Sequence, residues 1–61
     1  MVGKIYKKIN DNYGYIIDDD GILYMFSILD ILDDTIIEEG KLVEFKIKKD
    51  LVLRATYISS I

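Results

Sequence analysis

The sequence predicts one small all-β domain over residues 1–61, a five-stranded barrel with one longer connection between its third and fourth strands. Three observations predict it. Apolar and polar residues alternate with a period of two in several short stretches, the pattern of strands with one face on a core. Clusters of Asn, Asp and Gly separate those stretches, and such residues bond their own backbone or accept positive φ angles in turns. The chain has no proline, so no strand loses a ladder donor.

Residues 2–10 form the first predicted strand, in which Val2, Ile5 and Ile9 reach a core if a bulge adjusts the register. Asn10-Asp11-Asn12 turns the chain into Tyr13-Gly14-Tyr15-Ile16-Ile17. There Tyr13, Tyr15 and Ile17 share one face, and Gly14 and Ile16 take the other. Gly14 reads as structural, because a glycine in a barrel strand permits a bend or a close backbone approach. Asp18-Asp19-Asp20-Gly21 closes a hairpin onto a third strand from Ile22 to Ser27, with Met25 and Ser27 opposite Tyr24 and Phe26. Residues 28–39 read as a short amphipathic helix or a compact loop with one helical turn, starting with Ser27 as cap and Asp30 completing a capping box. After Gly40, residues 41–48 alternate with Val43, Phe45 and Ile47 inward. Lys49-Asp50 turns, and Leu51 to Ile58 is the fifth strand. This order of elements is that of an OB-type barrel, with an SH3-like barrel as the other small all-β solution.

A chain of 61 residues buries only about 60% of its unfolded surface. With no cysteine and no histidine it has no disulfide, no usual zinc site and no Cys- or His-based nucleophile, so packing must hold it. Apolar residues make up 51%, with twelve isoleucines, a load that predicts some apolar surface left over for a partner. The first residues lack a secretory apolar core, and the uncharged run Ile22 to Leu29 falls far short of the roughly 20 residues of a spanning helix. A cytoplasmic location is the expectation. An enzyme is not expected, since no nucleophile or pocket accompanies the carboxylates, and no cofactor is implied. An EF-hand loop with Gly21 at its sixth position would need acids where Ile16 and Ser27 stand, so the acidic run reads as a solvated hairpin tip. Asp30, Asp33, Asp34, Glu38 and Glu39 read as a solvated acidic loop.

The net charge of −3 is unevenly spread. Residues 1–10 hold Lys4, Lys7 and Lys8 and no acid, and residues 11–40 hold nine acids and no base. Residues 41–61 hold Lys41, Lys46, Lys48, Lys49 and Arg54 against Glu44 and Asp50. Pairing of the two ends would gather a basic patch on an acidic molecule, whose total charge argues against strong non-specific affinity for nucleic acid.

Landmarks along nearly the whole chain, in order, resemble the cold-shock domain. They are Gly3-Lys4-Ile5, Tyr13-Gly14-Tyr15-Ile16, Asp20-Gly21 followed by Tyr24-Met25-Phe26-Ser27-Ile28, then Glu39-Gly40-Lys41-Leu42-Val43-Glu44-Phe45, and Ala55-Thr56-Tyr57-Ile58. The resemblance implies an OB fold that binds single-stranded RNA or DNA by stacking bases on aromatics of strands 1 to 3. It places Tyr13 and Tyr15 on two platform aromatics, Met25 on the strand 3 phenylalanine and Ser27 on the histidine beside it. Counted from Gly3 without a gap, Lys7 and Lys8 fall on the family's Trp-Phe pair, although the chain is one residue shorter between Gly3 and Tyr13. The chain thus lacks the tryptophan and the histidine, and carries methionine for phenylalanine.

The expected site is therefore Tyr13 and Tyr15 for stacking, with Met25 and Ser27 beside them and Lys7 and Lys8 for phosphates. The competing expectation is a protein contact, with a partner or between two copies, through Ile28, Leu29, Ile31, Leu32 and Ile36 with Ile37, more aliphatics than a barrel plug needs. Of the adjacent Ile31 and Leu32, one is expected in the core and the other exposed.

Overall fold

The computed structural model describes residues 1–32 and 35–61, so Asp33 and Asp34 of the predicted acidic loop lie outside the described residues. Five strands form: β1 (Val2–Lys8), β2 (Tyr13–Ile17), β3 (Leu23–Ser27), β4 (Leu42–Lys49) and β5 (Leu53–Ser60). They close into a barrel in the order β1-β2-β3-β5-β4. All pairs are antiparallel except β3 with β5, which meet in parallel at Met25 and Arg54. That parallel join is what the long connection between β3 and β4 permits, because neighbouring parallel strands cannot be linked by a tight turn.

The core is Ile5, Ile16, Tyr24, Phe26, Val43, Phe45, Ala55 and Ile58. Tyr24 and Phe45 meet as a tilted ring pair with centroids 5.2 Å apart. The expected alternation holds through β2 and β3, where Gly14, Ile16, Tyr24 and Phe26 point inward. Three expected core residues do not enter it. Val2 precedes the inward-facing Gly3 and Ile5, and Ile9 lies beyond the end of β1, so both are exposed. Ile47 sits opposite the buried Ala55, but β1 pairs with β4 only from Leu42 to Glu44, leaving the flank of Ile47 uncovered. The third strand starts at Leu23 rather than Ile22. The fifth starts at Leu53 rather than Leu51, because Asp50 N–H donates to the Val52 carbonyl and Leu51 becomes a fully exposed loop tip.

The segment after β3 is a single 3₁₀ turn, Ile28–Asp30, with the expected capping box. Ser27 Oγ accepts from Leu29 N–H at 3.2 Å, and Ser27 N–H donates to Asp30 Oδ2 at 2.9 Å. Ile31 then pairs with Ile58 and, with Ile37, packs against the core. Leu32 stays exposed, so the adjacent pair divides as expected.

Asp18 departs from the solvated reading of its hairpin. Only 7% of it is exposed, and its carboxylate accepts from Ile22 N–H and Asp20 N–H, each at 2.9 Å, and from the Tyr24 hydroxyl at 2.8 Å. The Ile22 hydrogen bond does most to hold its pKa below the ordinary 3.8; the bonds from Tyr24 and Asp20 add to this, and burial opposes it. Reciprocally, the bond to Asp18 raises the Tyr24 phenol above its ordinary 10.0. The first acid of the run thus ties the β2–β3 turn to the core ring of Tyr24. Gly21, at φ +81°, supplies the left-handed step that brings Ile22 N–H onto it.

Candidate nucleic-acid interface

Residues directly opposite in adjacent strands share a face, with Cβ atoms about 4.5–5.5 Å apart. Lys7 pairs with Tyr15, and Tyr15 with Met25. Met25 in turn pairs with Arg54, and Arg54 with Lys48. One row of outward side chains therefore crosses every strand: Lys7, Tyr15, Met25, Arg54, Lys48. Tyr13 and Ser27 pair beside it, one step along β2 and β3. Tyr13 is 38% exposed, and Tyr15, Met25 and Ser27 are half-buried. All four thus keep part of their surface open to solvent.

Local structure holds these positions. Asn10 Oδ1 accepts from Asn12 N–H at 2.7 Å and from Tyr13 N–H at 3.1 Å, an Asx turn that sets the start of β2. Gly14 lets β1 and β2 close up beneath the tyrosines: a Cβ there would collide with the Lys7 carbonyl oxygen and lie 3.0 Å from Phe26 Cζ. A bulge between Ile5 and Lys7 brings Lys7, rather than its neighbour, opposite Tyr15.

Two expected site residues sit differently from the rest. Lys8 pairs with the inward Gly14, so it leaves the row and lines an open cleft of about 380 Å³ at the barrel end, with Tyr13, Phe26, Ile28 and Ile36 among its neighbours. Its backbone N–H donates to Glu39 Oε2 at 3.3 Å. The Ser27 hydroxyl is engaged as the acceptor of the 3₁₀ cap, and only its proton is free to donate outward.

Sequence reasoning missed Arg54 and Tyr6. Arg54 joins the row only because β3 and β5 are neighbours, and Asp30 Oδ2 holds its guanidinium at 2.9 Å. That same oxygen caps Ser27, so one carboxylate fixes the turn and the arginine together. The barrel order, once assigned, was the signal that would have found it. Tyr6 is the residue of β1 set between the two registers of the bulge, an exposed aromatic next to Lys7 that strict alternation does not place.

No protein-family model matches the chain, and no curated protein matches it. Among solved structures, 17 chains match. One is the Drosophila Unr CSD456 structure, at 20% sequence identity and a TM-score of 0.79. The match covers 98% of this chain and 26% of that longer one, so the chain spans about a quarter of its length. The fold is that of a cold-shock OB barrel, as the landmarks in the sequence implied. No helix among the described residues is long and apolar enough to cross a membrane.

Proposed function

We propose that this barrel binds single-stranded nucleic acid, weakly and with little sequence preference, on the outer face of β1, β2 and β3. The row in which Lys7, Tyr15 and Met25 face outward side by side, with Tyr13 beside them, carries the reading. Bases stack on aromatic faces whatever their identity, at about 1–3 kcal/mol per base, and a neighbouring lysine neutralises phosphate. Tyr13 and Tyr15 are the stacking residues, Met25 is their apolar neighbour, and Lys7 and Lys8 contact phosphates from the row and from the cleft rim. Ser27 donates its one free hydroxyl proton. The net charge of −3 keeps the affinity low.

Titration with a short pyrimidine-rich strand at low salt tests the reading. Alanine at Tyr13 or Tyr15 weakens binding by roughly 1–3 kcal/mol each, with far less change in folding. Variants that unfold, but whose folded fraction binds normally, would make the tyrosines structural and end the proposal.

One observation favours a second reading, a protein or self contact through residues 28–37. Leu29 is 91% exposed and Ile28, Leu32 and Ile36 are exposed beside it, while only Ile31 and Ile37 of the group pack on the core. Light scattering on the same preparation separates this reading from the first.

A further inference from the structure

Tyr57 is the one non-glycine residue with positive φ, +52°, among the described residues. It sits at a bulge in β5, where Tyr57 and Ile58 together oppose Phe45 between the Glu44–Ser59 and Lys46–Thr56 pairs. The first position of such a bulge suits glycine, and Asn or Asp tolerate it; a bulky aromatic there is an outlier. The bulge turns Ile58 into the core along with Ala55, but the ring of Tyr57 itself stays 62% exposed. A glycine would make the same bulge without the cost, so a tyrosine kept there with its ring in solvent points to a use for the ring.

The surroundings say what kind of use. Lys46 Nζ lies 5.4 Å from the centre of the ring. Leu32 is anchored alongside by its N–H to the Ile58 carbonyl at 2.8 Å. Tyr57 and Leu32 are shared walls of two shallow clefts. Lys46 lines one of them, and the other, of about 330 Å³, is lined by Leu29, Asp30, Leu32, Lys48, Thr56 and Tyr57 without it. β4 and β5 carry Lys46, Lys48, Lys49 and Arg54 against a single acid, Glu44. Of the acids nearby among the described residues, Glu44 lines the cleft that holds Lys46, Asp30 is spent on Arg54 and Ser27, and Asp50 pairs only loosely with Lys48 at 3.8 Å, both side chains being more than half exposed. An exposed ring between lysines, with clefts of mixed polar and apolar lining at its side, fits a stacked base flanked by phosphates.

We propose that Tyr57 is a second stacking position for the same single strand, with Lys46 and Lys48 as its phosphate contacts. The inference rests on the platform reading above. The strand leaves Tyr15 and Met25 over Arg54, reaches Lys48 along the same outward row, and turns onto Tyr57. Small barrels of this type occupy about 4–16 nucleotides, so the added position shows itself as a dependence on strand length.

The test compares pyrimidine-rich strands of about four and about twelve nucleotides on wild type, Tyr57→Asn and Tyr57→Phe at low salt. Asparagine removes the ring yet accepts the left-handed backbone, so the variant folds. The expected result is that Tyr57→Asn binds the long strand about tenfold more weakly and the short strand as wild type does, within the range of one lost stacking contact. Tyr57→Phe, which keeps the ring, binds both lengths normally. Unchanged long-strand binding by Tyr57→Asn overturns the inference and leaves the platform standing, as does an equal loss at both lengths. A fall from dimer to monomer mass in Tyr57→Asn with strand binding intact assigns the face to protein contact and also overturns it. If neither strand binds the wild-type protein, the platform reading fails and this inference with it.

Discussion

Replacing Gly14 with alanine sets two opposed effects against each other, and the structure decides which wins. Where a strand has room, a Cβ restricts the unfolded chain and stabilises by about 0.4–1 kcal/mol. At Gly14 there is no room. The new carbon would overlap the Lys7 carbonyl oxygen, which is backbone and cannot swing aside, and would press on Phe26 Cζ and Cε1 at 3.0 and 3.1 Å. Overpacking of this kind costs typically 1–3 kcal/mol, so the net effect is a loss of roughly 1–2 kcal/mol. In a domain of about 60 residues each kcal/mol moves the melting temperature by about 4–8 °C, and a fall of around 10 °C is expected. Gly21→Ala is the matched control: nothing lies within 4 Å of its Cβ, but φ is +81°, so its cost comes from backbone conformation alone. Thermal unfolding followed by circular dichroism reads both. A Gly14→Ala protein as stable as wild type would show that β1 and β2 are not closed up at this point, and the account of how the tyrosines are supported would fall.

Asp18 should give the fold an acid limit. Its folded pKa lies below the ordinary 3.8, so its stabilising contribution is complete above that value and disappears as pH falls through the lower one; Asp18→Asn should flatten the acid side of a stability–pH profile, and an unchanged profile would refute the assignment. Ile31→Lys should unfold the domain and Leu32→Lys should not, because Ile31 packs on the core and Leu32 is exposed; the reverse order in thermal melts would contradict the placement of the 3₁₀ turn. Binding of a long strand should weaken with salt with a logarithmic slope of about −3, as expected for four lysine–phosphate contacts at about −0.7 each, and a flat dependence would exclude phosphate contact.

Much of the fold was legible because local chemistry and global pattern agree over most of its length. Gly14 and Ile16 alternate against tyrosines, Ser27 and Asp30 stand at capping-box spacing, and Asn10 and Gly21 mark turns that the structure makes in those places. Residues were misread where a tertiary partner, not the local pattern, decides burial. Ile47 alternates perfectly with Phe45 yet has no strand on its free flank. Asp18 looks like its neighbours Asp19 and Asp20, but the Tyr24 hydroxyl comes back across the hairpin to meet it. The site divides in the same way. The tyrosines of β2 are readable from one strand, whereas Arg54 beside Met25 requires the parallel β3–β5 contact, which no local signal announces.

The barrel order also resolves the uneven charge of the chain. β1 and β4 do pair, but through Val2–Lys4 against Leu42–Glu44. An antiparallel pair in that register carries Lys7 away from one end and Lys46, Lys48 and Lys49 away from the other. The two basic segments therefore do not merge across the edge they share. They meet the opposite way around, where β2, β3 and β5 lie between them and Tyr15 and Met25 fill the gap. With strands about 4.8 Å apart, Lys7 and Lys48 end a row on the order of 19 Å long measured over four intervals. On the proposed reading, a cation at each end and stackable surface between them suit an extended polyanion with flat bases, whereas a point anion would use only one end. Arg54 sits inside the row as a guanidinium already neutralised and held by Asp30, not as a free charge. Among the described residues the row from Lys7 to Lys48 itself carries no carboxylate, although the chain is acidic overall.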